Sequence, residues 1–152
     1  EKMKKAKQNP NTSGIHAWLL LWKTARAVET YAHRCIQSLE LGVSDFGVLE
    51  ALLHKGDLPI NALGSKVLLT SSSMTAAVDR LESQGLVERK NDPSDRRARL
   101  ISLTLKGQKL IERAFKLHSK DMEQIMSPLS EQERNTLIML LHKLGHHAET
   151  II

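Results

Sequence analysis

The chain has 152 residues, 41% of them hydrophobic, 26% charged and only 3% aromatic, and its formal net charge is +5. That length suits one domain with an aliphatic core rather than two ordinary domains. The lone cysteine, Cys35, rules out an internal disulfide framework, and no run approaches the roughly 20 apolar residues that span a bilayer. A cytoplasmic protein with no membrane partner is expected, and the basic balance suits an anionic partner such as nucleic acid.

Residues 1–12 are polar and basic, carry Pro10, and read as a flexible basic arm. From Ser13 to about Leu41 the residues Ile15, Trp18, Trp22, Ala25, Val28, Ala32, Ile36 and Leu39 recur at helical spacing, with Ser13 as N-cap and Gly42 as stop. A helix this long in a small domain is expected to pack against several elements or a second chain. Ser44 starts a second helix that Gly56 ends, and Asp57 and Pro59 open a short third helix over 60–67. Thr70 or Ser71 caps a fourth helix running to about Gln84, with Met74, Ala77, Val78 and Leu81 on its inner face. Gly85 breaks it.

The periodicity then changes. Leu86 to Lys90 and Ala98 to Thr104 read as strands, and the turn-forming cluster from Asn91 to Asp95 makes them a hairpin with a long tip. Thr104 caps a fifth helix carrying Leu110, Ile111, Ala114, Leu117, Met122 and Ile125 on one face. Ser130 to Glu133 form a capping box opening a sixth helix, with Leu137, Leu140, Leu141 and Leu144 on one side. The fold class is mainly α with a small β-hairpin.

The third and fourth helices are joined by only Leu68 and Leu69, the spacing of a helix-turn-helix whose second helix is the candidate groove reader. The outer face of that helix starts Thr70, Ser71, Ser72, Ser73 and Thr75, with Asp79 and Arg80 further along. One hydroxyl suffices for capping. The others are small enough to approach a groove and can donate to phosphates or base edges. The hairpin adds Arg89, Lys90, Arg96, Arg97 and Arg99 against Asp92 and Asp95. A basic hairpin following a helix-turn-helix is the sequence form of a wing, whose arginines suit a narrow minor groove.

The run from Leu81 to Arg89, then Asp92-Pro93-Ser94-Asp95-Arg96-Arg97, then Ile101 to Gly107, closely resembles the MarR family of bacterial regulators. The resemblance implies a winged helix-turn-helix over 43–104 and a helical dimerisation region from 13–42 and 105–152. It also implies a homodimer on double-stranded DNA. The family's wing motif falls on Asp95 and Arg97, with Arg96 beside them, and its reading-helix contacts fall on Ser71, Ser72, Ser73 and Thr75. Most such proteins repress transcription, and leave DNA when a small molecule or oxidant acts near the junction of the two regions. A two-fold dimer would read a pseudo-palindrome with half-sites about 10 bp apart.

Other signals carry two readings each. Trp18, Trp22, Tyr31 and Phe46 either border a pocket for a phenolic or quinone-like effector or simply pack in the core. Cys35 is either an oxidant sensor, its thiol acidified by Arg34 and His33, or a small core residue. His142 and His146 stand at a ligand-like spacing, but nearby acidic or cysteine partners are missing, so no metal and no cofactor are expected. No phosphate loop, nucleophile elbow or acid–base pair of carboxylates is found, and the chain is not expected to be an enzyme. The alternatives to a DNA-binding repressor are a winged-helix protein-interaction module and a metal- or redox-sensing variant.

Overall fold

A computed structural model describes residues 10–67 and 71–152. Residues 1–9 of the expected arm, Thr70 and the Leu68–Leu69 joint lie outside the described residues. Pro10–Thr12 form one 3-10 turn leading into helix α1 (Gly14–Gln37). Ser13 caps α1, its hydroxyl accepting from the His16 N–H at 3.2 Å. The helix stops at Gln37, earlier than the expected end near Gly42. The Ser38 N–H closes onto Arg34, and the chain turns through Glu40 at φ 60°. Gly42 instead serves as the N-cap of α2 (Val43–Lys55), which Gly56 terminates as expected.

A two-residue strand, β1 (Leu58–Pro59), comes next and is absent from the sequence reading. Helices α3 (Ile60–Val67) and α4 (Ser71–Ser83) follow, then strands β2 (Val87–Asn91) and β3 (Arg99–Leu103). Strand β1 runs antiparallel to β3 and completes a sheet of order β1-β3-β2. Val87 pairs with Leu103 and Arg89 with Ile101 across the hairpin. Helices α5 (Leu105–Met126) and α6 (Glu131–Thr150) end the fold. The Thr104 hydroxyl caps α5 through the Gly107 N–H, and Ser130 and Glu133 make the expected capping box on α6.

The core lies between α2, α3, α4, the hairpin and the first half of α5. Val48, Leu49, Leu63, Ala77, Val78, Leu81 and Ile111 have no exposed surface. Burying an aliphatic side chain contributes about 1.5–3 kcal/mol, so this cluster fixes the helix-turn-helix and the hairpin as one unit. Gly85 (φ 71°) supplies the left-handed residue that turns α4 into β2. Outside that core the helices are differently made. No residue of α6 is buried, and Trp18, Leu20, Trp22, Ile138, Leu140 and Leu144 are each at least half exposed.

Candidate nucleic-acid interface

Helix α4 is seated by one face. Met74, Ala77, Val78 and Leu81 are buried, as their spacing requires, whereas Ser73 and Thr75 are exposed on the opposite side. Ser71 and Ser72 are the first two residues of the helix. The expected hydroxyl-rich start thus stands at the N-terminal end, where orphan backbone N–H groups and the helix dipole favour an anion.

The hairpin tip is held by local polar contacts. The Asp92 carboxylate accepts from the Ser94 N–H at 2.8 Å and from its hydroxyl at 2.6 Å. These bonds hold the Asp92 carboxyl below its ordinary range. Asp95 accepts from the backbone N–H of Arg97 at 2.9 Å, and Asp92 and Ala98 close the neck of the loop. Asp95 therefore shapes the backbone beneath Arg97. Arg96, Arg97 and Arg99 are exposed, and among the described residues none of them is in an ion pair.

The other cations are engaged inside the chain. Arg80, which the sequence groups with the reading face, donates from Nη2 to Asp45 at 2.6 Å, tying α4 to the start of α2. Asp45 is nearly buried, and the hydrogen bond with its charge raises the Arg80 pKa. Lys90 pairs with Glu88 at 3.0 Å. Arg89 reaches back from β2 to α4, meeting Asp79 at 2.6 Å and also pairing with Glu82. Sequence reasoning counted Arg89 among the wing cations. The available clue was the acidic pair Asp79 and Glu82, one turn apart on the outer face of a helix leading into a basic strand.

A cavity of about 500 Å³ opens between α1, α2 and α5, walled by Ile36, Phe46, Glu50, His54 and His118 among others. The His118 ring stands edge-on to Phe46, with centroids 5.0 Å apart, and His54 stands likewise on Phe115 at 4.6 Å. Of the four aromatics expected around a pocket, only Phe46 lines this one. Trp18 and Trp22 instead stack on each other at 6.4 Å on an exposed face of α1, and Arg26 stands 5.9 Å over Trp22. The helical repeat of α1 is the one its spacing predicts, but a repeat does not say which neighbour covers the stripe.

Tyr31 is half-buried beside Cys35, away from the cavity lining. Burial, then the hydrogen bond and charge of Asp121, push the Cys35 thiol up, and the hydrogen bond from Tyr31 only partly opposes this. That direction is opposite to the acidification expected from Arg34 and His33, and it keeps the thiol protonated rather than nucleophilic. His142 and His146 are exposed on α6. Among the described residues no three His, Cys, Asp or Glu side chains gather in a way that could hold a metal ion.

The MarR family model matches residues 41–98, the span from the start of α2 to the wing tip. The HTH-type transcriptional regulator MhqR of Bacillus subtilis is 35% identical over 135 residues, covering 89% of this chain and 93% of its own. Among solved structures, a mutant MarR from Escherichia coli complexed with operator DNA superposes with a TM-score of 0.74 at 23% identity, covering 90% of this chain and 99% of its own. The organohalide-sensing regulator RdhR-CbdbA1625 in its 2,4-dichlorophenol-bound form gives 0.71 at 22% identity, covering 97% of this chain and 89% of its own. These two structures share the fold. With the winged helix-turn-helix, the family match and the MhqR alignment in agreement, the chain belongs to the MarR family of transcriptional regulators.

Proposed function

We propose that two copies of the chain form a repressor that grips a pseudo-palindromic operator, and that a small aromatic molecule releases it. In this reading residues 43–104 read DNA while 13–42 and 105–152 pair the subunits. The observation that carries it is the contrast among the basic side chains. Arg80, Arg89 and Lys90 are neutralised within the chain, whereas Arg96, Arg97 and Arg99 stand exposed at the hairpin tip. Three cations left in solvent at a loop tip repel one another, and phosphates or a minor groove relieve that repulsion. The N-terminal end of α4 then faces the adjacent major groove, with Ser71, Ser72, Ser73 and Thr75 as its contacts and Thr70 preceding them.

Pairing is supported by α6. A helix of 20 residues with no buried side chain, together with an α1 bearing exposed tryptophans, presents more apolar surface than a soluble monomer usually leaves open. A second copy covers it. The release step is supported by the cavity against α2. Phe46 offers an aromatic wall, His54 and His118 offer polar ring atoms, and a structural neighbour carries a chlorinated phenol. A phenol or quinone is the effector class this combination fits.

The test is selection of bound sequences from random duplex DNA, followed by mobility-shift titration. Arg97→Ala is expected to weaken binding to the selected duplex by about 1–3 kcal/mol while the protein stays folded and paired. A purified chain that retains no duplex at low ionic strength overturns the proposal.

A further inference from the structure

We propose that Arg89 is a positioning residue of the DNA-reading unit: it sets the angle between α4 and the wing and contacts no phosphate. The inference rests on the DNA-binding reading above and adds to it an internal brace. The register places Arg89 opposite Ile101, and cross-strand partners point to the same face of a sheet. Ile101 is 1% exposed, so that face is the one turned toward the protein. The Arg89 side chain accordingly keeps only 26% of its surface, less than Asp79 or Glu82 keep.

The guanidinium divides between two carboxylates. Nη2 meets Asp79 and Nη1 meets Glu82, residues one helical turn apart on α4. A planar fork holding two anchors on one helix resists both sliding and rotation, which a single ion pair does not. The only covalent link between α4 and β2 is the short turn through Gly85, and Gly85 is a conformationally free residue. Backbone bonds from Gly85 to Glu82 and from Leu86 to Leu81 close the turn itself, and α5 bonds onto it from Thr104 and Lys106; among the described residues the fork is the side-chain ion pair that joins β2 directly to α4. Since α4 and the wing tip must meet two different grooves at once, the angle across this hinge decides whether both contacts form together. Its charge is already met by two carboxylates, so Arg89 is not a free cation of the wing in the way Arg96, Arg97 and Arg99 are.

The experiment compares wild type, Arg89→Gln, Arg89→Lys and the pair Asp79→Asn with Glu82→Gln on the selected duplex and on a scrambled one, across a salt series. Arg89→Gln is expected to lose about ten-fold in specific affinity, equal to about 1.4 kcal/mol, and distinctly less on the scrambled duplex, where only the long-range charge change acts. The slope of log K against log salt is expected to stay at the wild-type value, whereas loss of a phosphate contact lowers it by about 0.9. Arg89→Lys, able to hold one carboxylate at a time, is expected to recover part of the loss.

The acid pair gives an independent sign. Removing two negative charges near DNA should tighten all binding if those acids merely repel it. The brace predicts weaker binding to the selected duplex and tighter binding to the scrambled one. A salt slope reduced by Arg89→Gln, or unchanged specific affinity in it, overturns the brace while leaving the DNA-binding reading intact. The acid pair tightening both duplexes alike does the same, and covers the case in which Arg89→Gln fails to fold. A wild-type chain that binds neither duplex overturns both.

Discussion

Gly107 lies directly against the backbone of Leu86: a Cβ on it would stand 1.9 Å from the Leu86 carbonyl oxygen and 2.8 Å from its carbonyl carbon. The same loop is gripped by its neighbours. The Thr104 N–H donates to Leu86 at 3.1 Å, its hydroxyl donates to Gly85 at 2.6 Å, and Lys106 Nζ donates to Gln84 at 2.9 Å. The first turn of α5 is thus bonded onto the α4–β2 turn with no room for a side chain between them.

Gly107→Ala is therefore expected to destabilise the fold by about 2–3 kcal/mol, because backbone rather than a flexible side-chain tip must yield. Urea unfolding at fixed protein concentration measures it. Within the single chain nothing lies within 4 Å of a Cβ on Gly145, so Gly145→Ala carries no such clash, and backbone propensity alone favours it slightly.

The Asp45–Arg80 pair predicts non-additive stability effects. Asp45 keeps 12% of its side-chain surface and Arg80 keeps 52%. Solvent screening around the arginine limits the coupling to about 0.5–1 kcal/mol. Arg80→Ala is the costlier single change, because it leaves a nearly buried carboxylate without its partner. In a double-mutant cycle with Asp45→Ala, measured by thermal or urea unfolding, the double variant should lose less than the sum of the two singles. If the singles add, the pair contributes nothing.

Cys35 is expected to react slowly. With its pKa raised by burial and by Asp121, the thiolate fraction at neutral pH falls below that of a free cysteine. Alkylation should accelerate only as pH rises above the ordinary cysteine range. Asp121→Asn removes the negative charge that opposes ionisation, so its alkylation profile should move to lower pH. Cys35→Ser should leave effector-driven DNA release unchanged. A fast-reacting thiol at neutral pH contradicts this account.

The α6 face predicts oligomeric behaviour. Leu141 is 43% exposed in the single chain and belongs to the apolar side of a helix with no buried residue. Leu141→Glu is expected to raise the dimer dissociation constant by at least about ten-fold, or 1.4 kcal/mol, read by sedimentation equilibrium. The helix-turn-helix core lies elsewhere, so the far-ultraviolet dichroism of that region should persist. A monomeric wild-type protein removes the basis of the prediction.

Much of this fold was legible in local signals. Ser13, Thr104 and Ser130 cap the helices the sequence assigns to them, and Gly56 and Gly85 end theirs. Caps and left-handed turns act over a few residues, so a short window contains their whole cause. The end of α1 was misplaced because Gly42 resembles a stop but is used as the next helix's N-cap. Strand β1 was invisible because two residues ending in proline carry no alternation, and only β3 makes them a strand.

The candidate site divides in the same way. Exposed Ser73, Thr75, Arg96 and Arg97 follow from the pattern, since they stand opposite buried neighbours or at a turn. Arg89 and Arg80 do not, because their partners lie 10 and 35 residues away in sequence. A charge count treats every cation as available, and only the folded chain shows which are already matched. The four aromatics divided for a similar reason. Type and spacing mark Trp18, Trp22 and Phe46 alike, and the packing of α2 against α5 is what puts Phe46 alone on the cavity wall.

Gly107 and His118 ride on the same helix, separated by about 16 Å of its axis. One end forms part of the cavity wall, and the other presses without slack on the root of the wing. Between them Ile111 and Ala114 are buried in the core, so the helix is held along the whole of that stretch. At the Gly107 end the fit is backbone on backbone, with no rotatable side chain to take up a misfit.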